Sequence, residues 1–188
     1  MRDYDVPTVR VTDRRSARFA LRDATAPWHA RVDTIFSNAD LSVRSGYSRF
    51  LSAQAAAYIP IEQALEVSGI ATVLADWPSR RRSHLIREDL EILGLALPCF
   101  EPQPCLHGIP ALLGAAYVLE GSRLGGAVLK RSVPAALPTR FLSASRPQAW
   151  RDLIAIIDAR LIAQEDLDAA IEAACAAFAL FERCGRAI

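Results

Sequence analysis

The sequence predicts an all-α fold in a single domain, and three observations lead there. Apolar residues recur at helical spacing along most of the chain, as with Leu21, Trp28, Val32 and Ile35. No stretch alternates apolar and polar residues convincingly enough to read as a strand. At 188 residues and 52% hydrophobic content, the chain can build one sizeable core without a disulfide scaffold.

The elements follow in order. Residues 1–15 are polar, charged and unpatterned and read as a flexible N-terminal tail, leaving 16–188 as the helical domain. The first helix starts at Ser16 and carries Pro27, which removes one backbone donor and marks a kink. A second runs from about Ser45 to Val67 with a bend at Pro60, and Gly69 is placed to end it. Asp76-Trp77-Pro78 reads as a turn, and Arg80 to Leu93 as an amphipathic helix closed by Gly94. The stretch LPCFEPQPCLHGIP (97–110) holds four of the eleven prolines and is a loop by composition. A glycine-bearing helix follows over about 109–130, Pro134 and Pro138 interrupt the chain, and two further helices occupy about 147–163 and 165–184. Glu165 and Asp166 suit the positive start of the last one.

Composition excludes several classes. A net charge of +1 gives no electrostatic reason for nucleic acid or an anionic membrane as partner. No run approaches the roughly 18 apolar residues that a spanning helix needs, and the first residues lack the apolar centre of a secretory signal. Cys99, Cys105, Cys175 and Cys184 match neither a zinc knuckle nor a redox CxxC pair. They read as free thiols of a reducing compartment, so the expectation is a soluble cytoplasmic protein.

Two features stand apart from core building. The stretch AAYVLEGSRLGGAVLKR (115–131) keeps Gly121, Gly125 and Gly126 inside a helix, where each glycine costs about 1 kcal/mol relative to alanine. On a helical projection Gly114, Gly121 and Gly125 fall within an arc of about 40°, with Ser122 near its edge. A strip without side chains serves either tight packing against another helix or close approach of a flat ligand. The neighbouring Gly126 adds a need to bend or flex. The second feature is His29, beside the apolar stripe of the first helix. Arg22 lies two turns earlier, about 10.5 Å along the axis, and Asp33 lies one turn later at i+4. A metal-bound imidazole commonly donates its second N–H to a carboxylate, so these three residues offer an anion partner, a ligand and an orienting group. The plain alternative is a partly exposed histidine among surface charges. His84, after three arginines, reads as solvated, and His107 as a loop or capping residue. Three histidines so placed do not make a multi-ligand metal site, whereas a haem needs only one protein nitrogen.

At these residues the sequence resembles the haem oxygenase family over about 16–185. LRDATAPWHARVD (21–33) is similar to the family's proximal-helix motif, and YVLEGSRLGGAVLKR (117–131) to its distal-helix motif. The wording EGSRLGG is closest to bacterial members associated with bacteriophytochromes. The resemblance implies a single-domain helical bundle with a kinked, glycine-bearing distal helix. It also implies cleavage of haem, with O2 and electrons, to biliverdin, Fe2+ and CO. His29 is then the axial iron ligand, Asp33 its acidic partner, Arg22 a propionate contact and Arg151, in AWRDL, a looser one. Gly121, Gly125 and Gly126 match the distal glycines that let backbone lie against the haem. Ser122 departs from the aspartate that well-studied members use to organise water near oxygen. The implied partners are haem, an electron donor such as ferredoxin with its reductase, and a biliverdin-accepting bacteriophytochrome. Arg123, Lys130 and Arg131 are expected either to form a positive surface for an acidic donor or simply to be a solvated helix end. Two alternatives stay open on sequence alone. One is a haem carrier or sensor of the same fold, kept in view by Ser122. The other is a thiaminase-like helical enzyme, whose catalytic carboxylate or cysteine is not evident at Cys175 or Cys184.

Overall fold

The structure is a computed structural model that describes residues 16–144 and 146–186; the expected tail at 1–15 lies outside the described residues. Among those described residues the secondary structure is entirely helical and turn.

α1 (Ala17–Phe36) continues through Pro27, and α2 (Arg44–Val67) through Pro60. Proline removes a single ladder donor, and α2 is buried almost continuously from Ala53 to Leu65, so packing outweighs that loss. Gly69 (φ +82°) and Gly94 (φ +68°) take the left-handed conformation after α2 and after the helix that ends at Ile92, where a Cβ would be strained. The single helix expected over 80–93 is instead two pieces, α3 (Trp77–Arg80) and α4 (Ser83–Ile92). The break sits at Arg81, which is extended at φ −61°, ψ 142°. Successive side chains on extended backbone point to opposite sides. Arg80 and Arg82 therefore turn inward, each 1% exposed, while Arg81 pairs with Glu66 outside.

After an irregular segment at 95–107 come α5 (Gly108–Leu129), α6 (Arg140–Ser143), α7 (Pro147–Arg160) and α8 (Gln164–Gly185). The short α6 had no counterpart in the sequence reading. Its first N–H groups, on Arg140 and Phe141, are accepted by the two carboxylate oxygens of buried Asp89 on α4 at 3.1 and 2.9 Å. That cap comes from 51 residues away.

α8 is the central helix, packed against α5, α1 and α2. Its buried stripe of Ala170, Ala173, Ala174 and Ala177 is thin enough for neighbouring backbones to come close. A Cβ added to Gly114 of α5 would lie 2.0 Å from the Ala170 carbonyl oxygen. α1 runs alongside α8 in the same direction, with His29 by Phe178, Arg31 by Glu182 and Ile35 by Gly185. The core continues through Leu21, Phe50, Leu65, Ile86, Leu113, Leu153 and Phe181. Among the described residues, no helix is long and apolar enough to cross a membrane.

Candidate haem site

On α1, Leu21 is fully buried and Thr25 turns its hydroxyl back to the Leu21 carbonyl at 2.7 Å. One face of the helix is thus committed to the core, and Arg22, His29 and Asp33 lie exposed on the other. His29 Nδ1 lies 2.9 Å from Asp33 Oδ2, the i+4 pairing expected from helix geometry. The imidazole meets the Phe178 ring edge-on, with centroids 5.8 Å apart. Its side chain is 63% exposed, so the ion pair itself contributes little to stability. What it does is orient the ring. With Nδ1 turned to the Asp33 carboxylate, Nε2 is left on the far side of the ring. Arg22 is exposed, bonded to Asp23 at 3.1 and 3.2 Å and lying over the Phe19 ring.

The glycines of α5 separate into two kinds. Gly114 serves helix packing against α8, and a Cβ on Gly126 would stand 3.3 Å from the Leu142 carbonyl oxygen of α6. At Gly121 a Cβ would only touch the Trp150 ring at 3.7 Å, and at Gly125 it would meet nothing within 4 Å. Leu124 and Val128 flank this opening at 49% and 62% exposure, so the helix shows solvent an apolar face with part of its backbone bare. Packing against a neighbouring helix therefore accounts for Gly114 and Gly126, while Gly121 and Gly125 leave space beside the backbone.

Tyr117, one turn before Gly121, joins the two helices. Its ring lies 5.4 Å from that of Trp150 on α7, and its hydroxyl lies near the Thr25 side chain and the Arg22 charge. Burial, the larger influence, raises the Tyr117 pKa, and the Thr25 contact opposes it. The structure thereby gathers Arg22, Thr25, Tyr117, Gly121 and Trp150, with the His29–Asp33 pair two turns further along α1. Arg151, next to Trp150, is exposed and bonded to Gln148 at 2.7 Å. No signal in the sequence had singled out Tyr117 or Trp150, because each acts through neighbours from other helices.

Behind the strip stands a buried polar cluster that periodicity also missed. Glu120 accepts from Arg80 at 3.3 Å and from Arg123 at 2.9 Å. Arg80 also reaches Asp76 and the Ala149 carbonyl, and Arg123 reaches the carbonyls of Arg80 and Ala144. Arg123 is only 4% exposed, which corrects its expected place on a surface patch; Lys130 and Arg131 do face solvent. Ser122 donates to the Leu119 carbonyl at 2.7 Å and accepts from Arg82 at 2.6 Å. These bonds hold residues 119–123 rigidly from behind while the front stays open.

Among protein-family models, none matches the chain. The chain is 34% identical over 122 residues to a heme oxygenase of Xanthomonas campestris pv. campestris, covering 61% of this chain and 73% of the relative. It is 26% identical over 166 residues to heme oxygenase PigA of Pseudomonas aeruginosa, covering 81% and 83%. Its fold is similar to that of heme oxygenase from Neisseria meningitidis, solved with NO and CO bound, at a TM-score of 0.79 and 22% identity over 92% of this chain and 91% of that one. A heme oxygenase structure from Leptospira interrogans gives 0.69 at 18% identity, over 93% and 100%. With an all-helical bundle, an oriented histidine and a bared glycine face already in place, these relationships establish that the chain belongs to the haem oxygenase family.

Proposed function

We propose that this protein cleaves haem, using O2 and electrons, to biliverdin, Fe2+ and CO, with His29 as the axial iron ligand. The observation that carries the reading is the His29 imidazole turned through Nδ1 to Asp33 on α1, together with the open backbone at Gly121 and Gly125 on α5.

Haem is the substrate, and bound iron supplies the oxygen chemistry. The protein's work is to bind, orient and clear space. Asp33 fixes the tautomer and ring direction of His29 and makes it a better donor to iron. Gly121 and Gly125 keep side chains off the opposite face, with Leu124 and Val128 supplying apolar cover. Gly126 lets α5 lie close to α6, so the strip keeps its place. Arg22, and more loosely Arg151, supply guanidinium groups for the propionates, which sets how the ring is turned. Ser122 has its proton committed to Leu119 and can only accept from a water, so protons reach the site through solvent. Exposed Lys130 and Arg131 suit an acidic electron donor such as ferredoxin with its reductase. Delivery of biliverdin to a bacteriophytochrome rests on the wording EGSRLGG.

The test is direct. Haemin added to the purified protein is expected to give a histidine-ligated Soret band. Ferredoxin, its reductase and NADPH in air are then expected to replace that band with biliverdin absorption. His29→Ala should lose the ligated spectrum and most turnover. A Soret complex that persists through reduction in air would defeat the biliverdin assignment.

A further inference from the structure

Where α2, the segment after α4 and the end of α8 meet, the bundle holds a cavity of about 390 Å3. It shares no residue with the haem site: α8 gives Phe178 to His29, and Cys184, nearly two turns further on, to the cavity wall. Its volume falls in the range of small-molecule pockets and equals roughly thirteen waters at about 30 Å3 each. α2 forms the floor. Ser48 and Ser52 stand at i and i+4 on one face, Ala56 continues that row a turn later, and Arg49 flanks it. Small side chains along this row leave the space open. Hydroxyls on other helices bond back to their own backbone, Thr25 to Leu21, Thr34 to Ala30 and Ser122 to Leu119. The half-buried Ser48 and Ser52 do not. Among the described residues, neither they nor Arg49 has a hydrogen-bond or ion-pair partner.

Charge decides the kind of ligand. The lining carries Arg49 and Arg183 against one carboxylate, Glu101, which leaves one positive charge in excess. Arg183 Nε lies 3.6 Å from Glu101 Oε2, too long for a hydrogen bond, and both side chains are about half exposed, so this pair is loose and contributes little. Across from α2, Leu95 and Pro98 supply an apolar wall, and buried Cys184 extends it. We propose that this cavity is a second binding site, for a small amphipathic carboxylate. The carboxylate meets the Arg49 guanidinium and the Ser48 and Ser52 hydroxyls, while a slim apolar body lies along Ala56, Leu95 and Pro98. A guanidinium with hydroxyls beside it offers a carboxylate both charge and directed donors. The volume suits a medium-chain carboxylate and is too small for a tetrapyrrole.

The inference does not rest on the haem reading, and its test uses the protein without haem. Cys99 lines the cavity and Cys105 does not, yet both are exposed, so their reaction with a disulfide reagent reports occupancy against an internal control. Millimolar octanoate should slow labelling of Cys99 saturably and leave Cys105 unchanged, as followed by peptide mass. Octanol, which has the same chain without the charge, should protect at least about tenfold more weakly. Arg49→Gln should weaken octanoate protection by about tenfold or more, and because Arg49 is exposed the fold is kept. Ser52→Leu, which fills the cavity from its floor, should abolish protection. Unslowed labelling of Cys99, equal protection of Cys105, or equal protection by octanol overturns the proposal. Octanoate protection that is unchanged in folded Arg49→Gln or Ser52→Leu protein overturns it as well.

Discussion

Gly125→Ala pits the stability of the free protein against its ligand. A helix-interior glycine replaced by alanine gains about 1 kcal/mol where the methyl group meets no obstacle. At Gly125 the added Cβ has no atom within 4 Å, so the full gain is expected in the free protein. For a chain of this length it corresponds to a rise in Tm of about 2–4 °C, followed by far-UV circular dichroism. Gly114→Ala is the contrasting control, because its Cβ would stand 2.0 Å from the Ala170 carbonyl oxygen and 2.8 Å from its carbon. Both are backbone atoms, so α5 and α8 must separate, at a net cost of about 1–3 kcal/mol and a fall in Tm of several degrees. Haem reverses the order at Gly125. A flat macrocycle resting on the bare backbone is pushed away by the new methyl group, and a similar 1–3 kcal/mol penalty weakens haemin affinity about 5- to 150-fold in a Soret titration. A variant that is more stable when free and binds haemin as tightly as before would refute the assignment of this face. A variant that is less stable when free would refute the openness of the site.

Three further outcomes are expected. Glu120→Ala leaves Arg80 and Arg123 buried without their shared partner and should lower urea-unfolding stability by about 3–5 kcal/mol; a loss below about 1 kcal/mol would contradict the buried cluster. Asp89 has its pKa raised above 3.8, chiefly by burial, against the opposing hydrogen bonds from Phe141 and Arg140. The native state then binds this proton more tightly than the unfolded chain, so the group's contribution to stability rises as pH falls toward 3.8. Asp89→Asn should therefore be destabilised at pH 7 by about 1–3 kcal/mol, through one unsatisfied N–H of α6, and the gap should widen at pH 5; a narrowing gap reverses the sign. Finally, exposed Cys99 and Cys105 should react with a disulfide reagent at pH 8 well before Cys175 and Cys184, whose thiols burial pushes up. Equal rates at all four cysteines in the folded protein would count against this.

The parts of the site that were legible beforehand are those made by one helix. His29 and Asp33 meet because i and i+4 share a face whatever surrounds the helix. The helix ends at Gly69 and Gly94 were equally readable, since the left-handed conformation there depends on the absence of a Cβ. Pro27 and Pro60 mark points where local chemistry argued for a kink or bend, while the helices run on through both. The arginine run at 80–82 shows the converse difficulty. An extended residue at 81 sends its neighbours inward, and no periodic pattern distinguishes that from a solvated charged face.

The sequence by itself determined the order and extent of the main helices, the oriented histidine and the existence of a strip without side chains, because backbone hydrogen bonding and helical periodicity act over three or four residues. The tertiary structure alone decided which glycines are packed and which are bare, and which arginines are buried. Those outcomes depend on Ala170 against Gly114, Trp150 against Gly121, and Tyr58 with Ser122 around Arg82. Each such pair lies between 24 and 56 residues apart in the chain or spans separate helices, so its contact is set by packing rather than by local geometry.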